Sequence, residues 1–288
     1  MKGRTGIETK TQGRDLDAAT DDQLLAPSEV YHENSKLRLS DISTYLQVTS
    51  INNSSDVRRL VSKPFPRYRG YPEVALPREF SRSSVAFEDG LERRRSKRKF
   101  SGRTISLASI ARILYLGDGI VQRVQNDDGS EWQLRTAPSG GALFPIECFL
   151  MPLHVEGLSR GTYFYDVKNH RLVQVQSSDP SPMLKRAMFI DDIESAAACI
   201  LLTATMPRCK FKYGERAYRF ALLETGHIAQ NMLLAAEFGG LGSYPIGGFI
   251  DDELNKALKF DGCEQIVLYA VLLGCIDGDR SSSVSDSS

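Results

Sequence analysis

Residues 135–151 read RTAPSGGALFPIECFLM, a loop of small and rigid residues that leads directly into an apolar segment. Pro138 fixes one backbone dihedral and has no N–H donor, whereas Gly140 and Gly141 let a ligand approach the main chain. Ser139 adds a hydroxyl group. The stretch predicts a buried strand preceded by a loop suited to hold a flat polar ligand. On this segment alone, an ordinary tight loop is the alternative.

The composition is that of an ordinary globular protein: 288 residues, 41% hydrophobic and 25% charged, with a formal net charge of zero. The zero net charge gives no electrostatic reason to expect nucleic acid as a partner. The longest apolar run, residues 266–276, is far shorter than the roughly 20 residues that a membrane span needs. We therefore expect no membrane association and interpret that run as a buried strand.

The five cysteines show neither a CxxC motif nor a histidine at zinc-ligand spacing. An odd number of cysteines, several of them in apolar runs, is typical of reduced thiols in the cytosol. Residues 1–22 are polar and lack the apolar core of a signal peptide. We expect a cytoplasmic protein without a metal site.

The chain divides into four predicted segments. Residues 1–26 have little periodicity and are predicted to be a disordered arm. Residues 27–80, with frequent prolines, are predicted to be an extended segment that packs on the domain or on a partner subunit. Residues 81–279 are predicted to form one compact domain, and residues 280–288 a disordered tail.

Helix and strand patterns alternate through the compact segment, which predicts an α/β (α+β) fold with helices packed on a sheet. Ser106 is positioned to cap a helix. Residues 217–238 predict a long helix that is apolar nearly all round and therefore buried in a core or against a partner subunit. His227 is interpreted as a hydrogen-bonded core residue of this helix. Strands are predicted at 146–151, 162–166, 171–175, 196–206 and 266–274, and a short helix at 251–260.

Three further segments carry candidate site residues. The run RRSKRKF at 94–100 contains Arg94, Arg95, Ser96 and Arg98, which suit an anionic ligand. A solvated charge run or a nucleic-acid patch is the alternative, although no aromatic residues are interleaved for base stacking.

The run SYPIGGF at 243–249 offers the main-chain N–H groups of Gly247 and Gly248 to a ligand; a turn at a strand end is the alternative. Lys212 and Tyr213 precede the long helix, where a partly desolvated lysine has a lowered pKa and acts as a base. Surface charge at a helix start is the alternative.

No GxGxxG, GxxxxGK[ST], HExxH or GxSxG motif is present. The sequence therefore supports none of the sites that these motifs mark, namely nicotinamide, P-loop, zinc-protease and serine-hydrolase sites.

Together these segments resemble the nitroreductase superfamily of flavin enzymes and, more narrowly, the SagB-type dehydrogenases, the azoline oxidases of thiazole/oxazole-modified peptide pathways. The resemblance extends from about residue 31 to residue 274. It implies a mostly antiparallel central sheet flanked by helices, with a long helix at a dimer interface. The segments that carry it are 94–100, 137–147, 212–216, 224–231 and 245–249.

The resemblance further implies a homodimer with FMN at its interface. The loop around Gly140 would reach the FMN bound mainly by the partner subunit. Arg280 is the only basic residue after Gly274, so the usual basic phosphate ligands near the C-terminus are not evident and the run 94–98 is expected to hold the phosphate. The implied FMN-binding residues are Arg94, Arg95, Ser96, Arg98, Pro138, Ser139, Gly140, Gly141, Ala142, Gly247 and Gly248.

The activity that the resemblance implies is oxidation of thiazoline or oxazoline rings, in a ribosomal or carrier-bound peptide, to thiazole or oxazole. The flavin would accept a hydride, Lys212 a proton, and Tyr213 would orient Lys212 or polarise the ring. Dioxygen is the expected electron acceptor, and a cyclodehydratase or a peptide synthetase is the expected partner. Two alternatives remain: an NAD(P)H-dependent nitro- or quinone reductase, and a non-catalytic scaffold subunit of a peptide-modifying complex.

Overall fold

The computed structural model describes residues 26–42, 54, 68–80, 83–125, 127, 129 and 131–277. Residues 1–25 of the predicted arm at 1–26 and the predicted tail at residues 280–288 lie outside these ranges, as does most of the segment between residues 43 and 67.

A seven-stranded sheet in the order β1-β6-β5-β4-β7-β9-β8 forms the centre of the described part, and every neighbouring pair is antiparallel. This confirms the predicted antiparallel sheet. Two further strands, β2 and β3, pair only with each other in a hairpin. The strands are β1 (Glu73–Ala75), β2 (Ile120–Gln125), β3 (Glu131–Arg135), β4 (Ile146–Pro152), β5 (Thr162–Asp166), β6 (Arg171–Gln176), β7 (Ala198–Thr205), β8 (Gly242–Ile246) and β9 (Gln265–Gly274).

The middle strands are buried on both faces, since every residue of β4 and of β7 is buried. Successive side chains of a strand point to opposite faces, so β4 contributes to two cores. Cys148 and Leu150 belong to one core, and Phe149 and Met151 to the other. The continuous apolar runs of these strands therefore reflect a sheet that is covered by helices on both sides.

The helices cover the two faces of the sheet. Ser106 caps α3 as expected, because its hydroxyl oxygen accepts a hydrogen bond from the Ser109 N–H at 3.2 Å. The helices are α1 (Pro27–Asn34), α2 (Phe87–Arg93), α3 (Leu107–Asp118), α4 (Ser181–Met188), α5 (Pro207–Tyr213), α6 (Ala217–Glu237) and α7 (Asp251–Ala257). Within the described ranges, none of these helices combines the length and apolar character that crossing a membrane requires.

Helix α6 is the long helix that the sequence predicts, and it is buried on one side only within the protomer. Ile228 and Met232 are fully buried, whereas Leu222 and Leu223 are 45% and 59% exposed. His227 is exposed on the same open side as Leu223, one turn away. The interpretation of His227 as a core residue is therefore wrong.

The segment at 27–80 is not extended throughout. Residues 27–34 form α1, which begins at Pro27 and is stabilised by the Glu29 carboxylate accepting a hydrogen bond from the Ala26 N–H at 2.9 Å. Arg219 of α6 donates to the His32 carbonyl at 2.8 Å, which ties α1 to the long helix. Further along, β1 adds to the edge of the sheet beside β6.

We expect Ser106→Ala to lower the free energy of unfolding by about 1 kcal/mol, because the Ser109 N–H then loses its acceptor. Urea denaturation of the purified protein measures this change. Ser178→Ala, at an exposed serine outside helices and strands, serves as the control and should leave the midpoint unchanged. Equal midpoints for the two variants would contradict the cap.

Candidate active site

Three chain segments are attached to the sheet at the same end. The strand registers pair Ile146 with Ala204, Ala204 with Ile266, and Ile246 with Ala270. The start of β4 and the ends of β7 and β8 therefore lie at the same end. The segments attached there are residues 137–145, which we call the glycine loop, the helix α5, and the turn 247–249.

The glycine loop has a strained backbone. Gly141 has φ +66°, which glycine adopts readily, but Ala142 and Phe144 have φ +52° and +46°. A non-glycine residue in this region costs about 1–3 kcal/mol and persists only when its surroundings fix it. Such strain is frequent at functional sites.

Hydrogen bonds at both ends of Phe144 hold the loop. Its N–H donates to the Ser139 hydroxyl oxygen at 2.9 Å, and its carbonyl accepts from the Arg208 guanidinium at 3.1 Å. Arg208 also forms an ion pair with Glu147, and both side chains are less than 10% exposed. The Arg208 guanidinium thus joins the start of α5 to the loop and to β4.

Lys212 and Tyr213, at the end of α5, lie against the glycine loop. A Cβ atom placed on Gly141 would fall 2.5 Å from the Lys212 Nζ and 2.6 Å from the Tyr213 hydroxyl oxygen. Only glycine fits here without displacing both polar groups. The Lys212 Nζ lies 4.9 Å from the centre of the Tyr213 ring. The two segments that the sequence singled out separately therefore form one group.

The Lys212 side chain is partly buried, and this burial lowers the pKa of its ammonium group. The direction of this pKa shift agrees with the prediction for a lysine that acts as a base.

Phe220 of α6 packs against the same group. The centre of its ring is 4.7 Å from the centre of the Tyr213 ring, and its Cγ would be 3.4 Å from a Cβ atom on Gly140.

The basic run at 94–98 lies beside β8. Ser96 forms a parallel bridge with Ser243, and the Arg98 guanidinium lies 4.9 Å from the centre of the Tyr244 ring. Neither Arg94 nor Arg98 makes an ion pair with any residue that the structure describes. Because β7 and β9 separate β4 from β8, β8 is about 14 Å from β4 across the sheet, and this run lies on the outer side of β8. The protomer thus holds two groups of candidate residues.

Gly247 and Gly248 follow β8 and are exposed. A Cβ atom on Gly248 would meet nothing within 4 Å, so its main chain is open to a ligand. No group of three or more His, Cys, Asp or Glu side chains suited to a metal ion occurs among the described residues.

Three buried carboxyl groups beneath the glycine loop were not predicted as site residues. Asp118 accepts a hydrogen bond from Arg135 at 2.6 Å, and burial raises its pKa to about 6. Burial likewise raises the pKa of Glu224 to about 7. Glu147 is the third, paired with Arg208. The sequence does contain a sign of these carboxyl groups, because each is a charged residue inside an otherwise apolar strand or helix. A charged side chain buried in such an element requires a partner.

A family model described as the nitroreductase family matches residues 91–275, more than half of the chain. A protein of Methanocaldococcus jannaschii named as a nitroreductase is 30% identical over 191 residues, which cover 65% of this chain and 89% of that protein. The microcin B17-processing protein McbC of Escherichia coli is 31% identical over 156 residues, which cover 51% of this chain and 56% of McbC.

Solved structures share the fold. A structure named as a nitroreductase from Anabaena variabilis superposes with a TM-score of 0.67 at 25% identity, covering 85% of this chain and 45% of the other. A chain of the E. coli microcin synthetase McbBCD complex with truncated pro-MccB17 superposes with a TM-score of 0.54 at 24% identity, covering 84% of this chain and 98% of the other.

We expect Arg208→Met to lower the free energy of unfolding by about 3–5 kcal/mol, because Glu147 is then buried without its counter-charge. Chemical denaturation measures the loss. Adding Glu147→Gln removes the buried charge and should restore part of the stability. Arg186→Met is the control, since the exposed pair of Arg186 with Glu253 at 3.9 Å contributes about 0–1 kcal/mol. A similar small loss for both arginine variants would contradict the role of Arg208.

Proposed function

Because the chain belongs to the nitroreductase family, we propose that it is an FMN-dependent dehydrogenase that oxidises thiazoline or oxazoline rings in a peptide to thiazole or oxazole. The observation that carries the proposal is the contact of Lys212 and Tyr213 with Gly141. A partly buried lysine beside a phenol, under a loop open to ligands, supplies a base for removing a ring proton. The 31% identity to a microcin-processing protein supports a peptide as the substrate.

FMN is the cofactor of this family, and the described residues fit it. The cations of Arg94 and Arg98, which have no counter-ion among the described residues, suit its phosphate. The open main chain at 247–248 and the side chain of Ser96 suit its polar ring and ribityl oxygens. In this proposal Arg94, Arg95, Ser96, Arg98, Pro138, Ser139, Gly140, Gly141, Ala142, Gly247 and Gly248 line the cofactor.

Bound FMN supplies the two-electron acceptor, and dioxygen is the final acceptor in this proposal. Aromatisation of the ring removes a proton from one carbon and a hydride equivalent from its neighbour. Neutral Lys212 accepts the proton at Nζ, and burial favours this neutral form by lowering the lysine pKa. Tyr213 orients Lys212 through its adjacent hydroxyl, and the glycine loop keeps water away from both.

We further propose a homodimer formed through α6. Leu222 and Leu223 expose apolar surface on this helix, and Tyr218 is 38% exposed on it. Exposed apolar side chains grouped on one helix face are typical of an interface between subunits. In such a dimer the glycine loop of one subunit would complete the cofactor site of the other.

A cyclodehydratase is the proposed partner, because thiazoline and oxazoline rings arise by cyclodehydration of cysteine, serine or threonine residues. The similarity to a chain of a microcin synthetase complex agrees with such an assembly. A cytoplasmic location remains a prediction.

An NAD(P)H-dependent nitro- or quinone reductase is the second candidate function. The identity to a protein named as a nitroreductase, over 65% of this chain, favours it. This reaction needs no base at Lys212, so the two candidates differ in how strongly turnover depends on that residue.

The proposed activity is tested by incubating the flavin-loaded protein with a synthetic thiazoline peptide in air and measuring the peptide mass. We expect the loss of two hydrogen atoms and the appearance of thiazole absorbance. An unchanged peptide in the presence of flavin-loaded protein, for both thiazoline and oxazoline substrates, would refute the proposal.

Lys212→Ala should retain FMN and lower kcat about 10²–10⁴-fold, the usual contribution of a general base. Lys210→Ala, in the same helix but at an exposed lysine that pairs with Glu215, should keep wild-type turnover. The wild-type kcat/KM should fall as the pH drops through the lowered pKa of Lys212, because the protonated amine accepts no proton. Wild-type rates in Lys212→Ala would contradict the catalytic assignment.

Gly141→Ala and Gly129→Ala should have similar stability, since both positions have positive φ and each alanine costs about 1 kcal/mol in this region. Only Gly141→Ala places a methyl group on the flexible ends of Lys212 and Tyr213; nothing lies within 4 Å at Gly129. We therefore expect loss of turnover in Gly141→Ala alone. Thermal unfolding and single-turnover rates measure both effects, and equal activity would contradict the contact.

Leu223→Glu should convert the dimer to a monomer and reduce bound FMN, because a carboxylate disrupts an apolar interface. Analytical ultracentrifugation and flavin absorbance measure the two effects. Val121→Glu, at a similarly exposed apolar residue of β2, is the control and should leave both unchanged. A monomeric wild type that holds stoichiometric FMN would contradict the dimer proposal.

A further inference from the structure

Helix α1 has no buried residue, so the burial of apolar side chains contributes little to holding it in place. A helix of eight residues is marginal in water on its own, because helix nucleation is unfavourable. Contacts with the start of α6 therefore place α1. The residue at their centre is Ser35, which directly follows α1 and is 2% exposed.

Two guanidinium groups bind the C-terminal end of α1. Arg216 donates to the Ser35 carbonyl at 2.9 Å. Arg219 donates to the Ser35 hydroxyl oxygen at 2.7 Å and to the His32 carbonyl at 2.8 Å. The last carbonyls of a helix lack partners within it and carry partial negative charge, so cations are favourable there. Within the described part of the chain, neither arginine pairs with a carboxylate, and the hydrogen bonds of both guanidinium groups end at residues 32 and 35.

The two arginines belong to different parts of the junction between α5 and α6. Arg219 lies inside α6, which is fixed by its buried face, whereas Arg216 ends the 3₁₀ turn at 214–216 that joins the two helices. Because both arginines donate to Ser35, this residue fastens the turn to α6. The turn directly follows Tyr213, so a fixed Arg216 restricts movement at the end of α5.

Phe220 forms a second connection between the arginines and the candidate base. The Arg216 Cζ lies 5.7 Å from the centre of the Phe220 ring, close enough for attraction between a cation and an aromatic face. The centre of the Phe220 ring is 4.7 Å from that of Tyr213, whose hydroxyl lies beside Gly141. A continuous row of contacts therefore runs from α1 through Arg216 and Phe220 to the glycine loop.

We propose that α1 braces the junction between α5 and α6. Arg216 and Arg219, bound to its C-terminal end, are positioning residues for Lys212. They keep this lysine, together with Tyr213, against Gly141 of the glycine loop. Neither arginine touches the reacting ring. The catalytic consequence rests on the proposed function, whereas the position of α5 does not.

The direct test is hydrogen exchange of the peptides that cover residues 27–36 and 207–216, measured by mass spectrometry on the full chain. Arg219→Gln removes the guanidinium and keeps a good helix former, so we expect several-fold faster exchange in both peptides and unchanged exchange in β7. Ser35→Ala removes one acceptor only and is the milder variant for the same measurement.

Arg186→Gln is the matched control, because this exposed arginine of α4 pairs with Glu253 at 3.9 Å on the other side of the sheet. Its exchange should match the wild type in both peptides. Wild-type exchange at 207–216 in Arg219→Gln would overturn the proposal. Faster exchange at 27–36 alone would overturn it as well, since α1 would then be released without any effect on the junction.

A double-mutant cycle separates positioning through α1 from a role of Arg219 within α6. With an azoline peptide, Arg219→Gln should lower kcat by up to about 10²-fold, as for a catalytic group misplaced by about 1 Å, and should leave KM and FMN content unchanged. Ser35→Ala should lower kcat in the same direction, and the double variant should lose no more than Arg219→Gln alone, because both changes break one contact. Additive losses would show that Arg219 acts without α1 and would contradict the brace.

The two proposals fail in different ways. A failure of the proposed function would appear as a wild type that is inactive on azoline peptides while the exchange difference of Arg219→Gln persists. A failure of the brace would appear as an active wild type in which exchange at 207–216 is independent of Arg219.

Discussion

The candidate site depends on one buried cation, the Arg208 guanidinium. It pairs with Glu147 inside the sheet and donates to the carbonyl of Phe144, a residue whose backbone is strained. The strained loop would relax if this anchor were absent, because left-handed φ values at Ala142 and Phe144 are unfavourable on their own. The ion pair therefore fixes the conformation of the glycine loop, and in this conformation Gly141 lies against Lys212.

Two opposite demands meet at this loop. In the proposed reaction Lys212 must be partly desolvated, since burial is what lowers its pKa, yet the azoline ring must still reach it. Glycine at position 141 resolves the conflict, because a loop without a side chain covers the Lys212 Nζ closely while its other face stays exposed. Phe220 then packs against the loop from the helix side.

The sequence predicted the sheet because its strands and the long helix follow local patterns, whereas the site residues stay a prediction. The apolar run at 146–151, the hairpin at 162–175 and the long helix at 217–238 all lie within one or two residues of the observed elements. The family resemblance marked the glycine loop and Lys212–Tyr213 as separate segments, and their contact within one protomer was not predicted. Helix α1 was missed because no residue in it is buried, so no apolar periodicity marks it. The β2–β3 hairpin was missed because its strands carry few apolar residues, and the burial of Glu224 depends on tertiary contacts.

The central claim is that the flavin of this protein is reduced by an azoline ring. The most direct measurement is the visible absorbance spectrum of the FMN-loaded protein after anaerobic addition of a thiazoline peptide or of NADPH. We expect the thiazoline peptide to bleach the flavin within turnover time, NADPH to leave it unchanged, and Lys212→Ala to abolish the bleaching. Rapid bleaching by NADPH together with an unchanged spectrum after the thiazoline peptide would contradict it and favour the reductase.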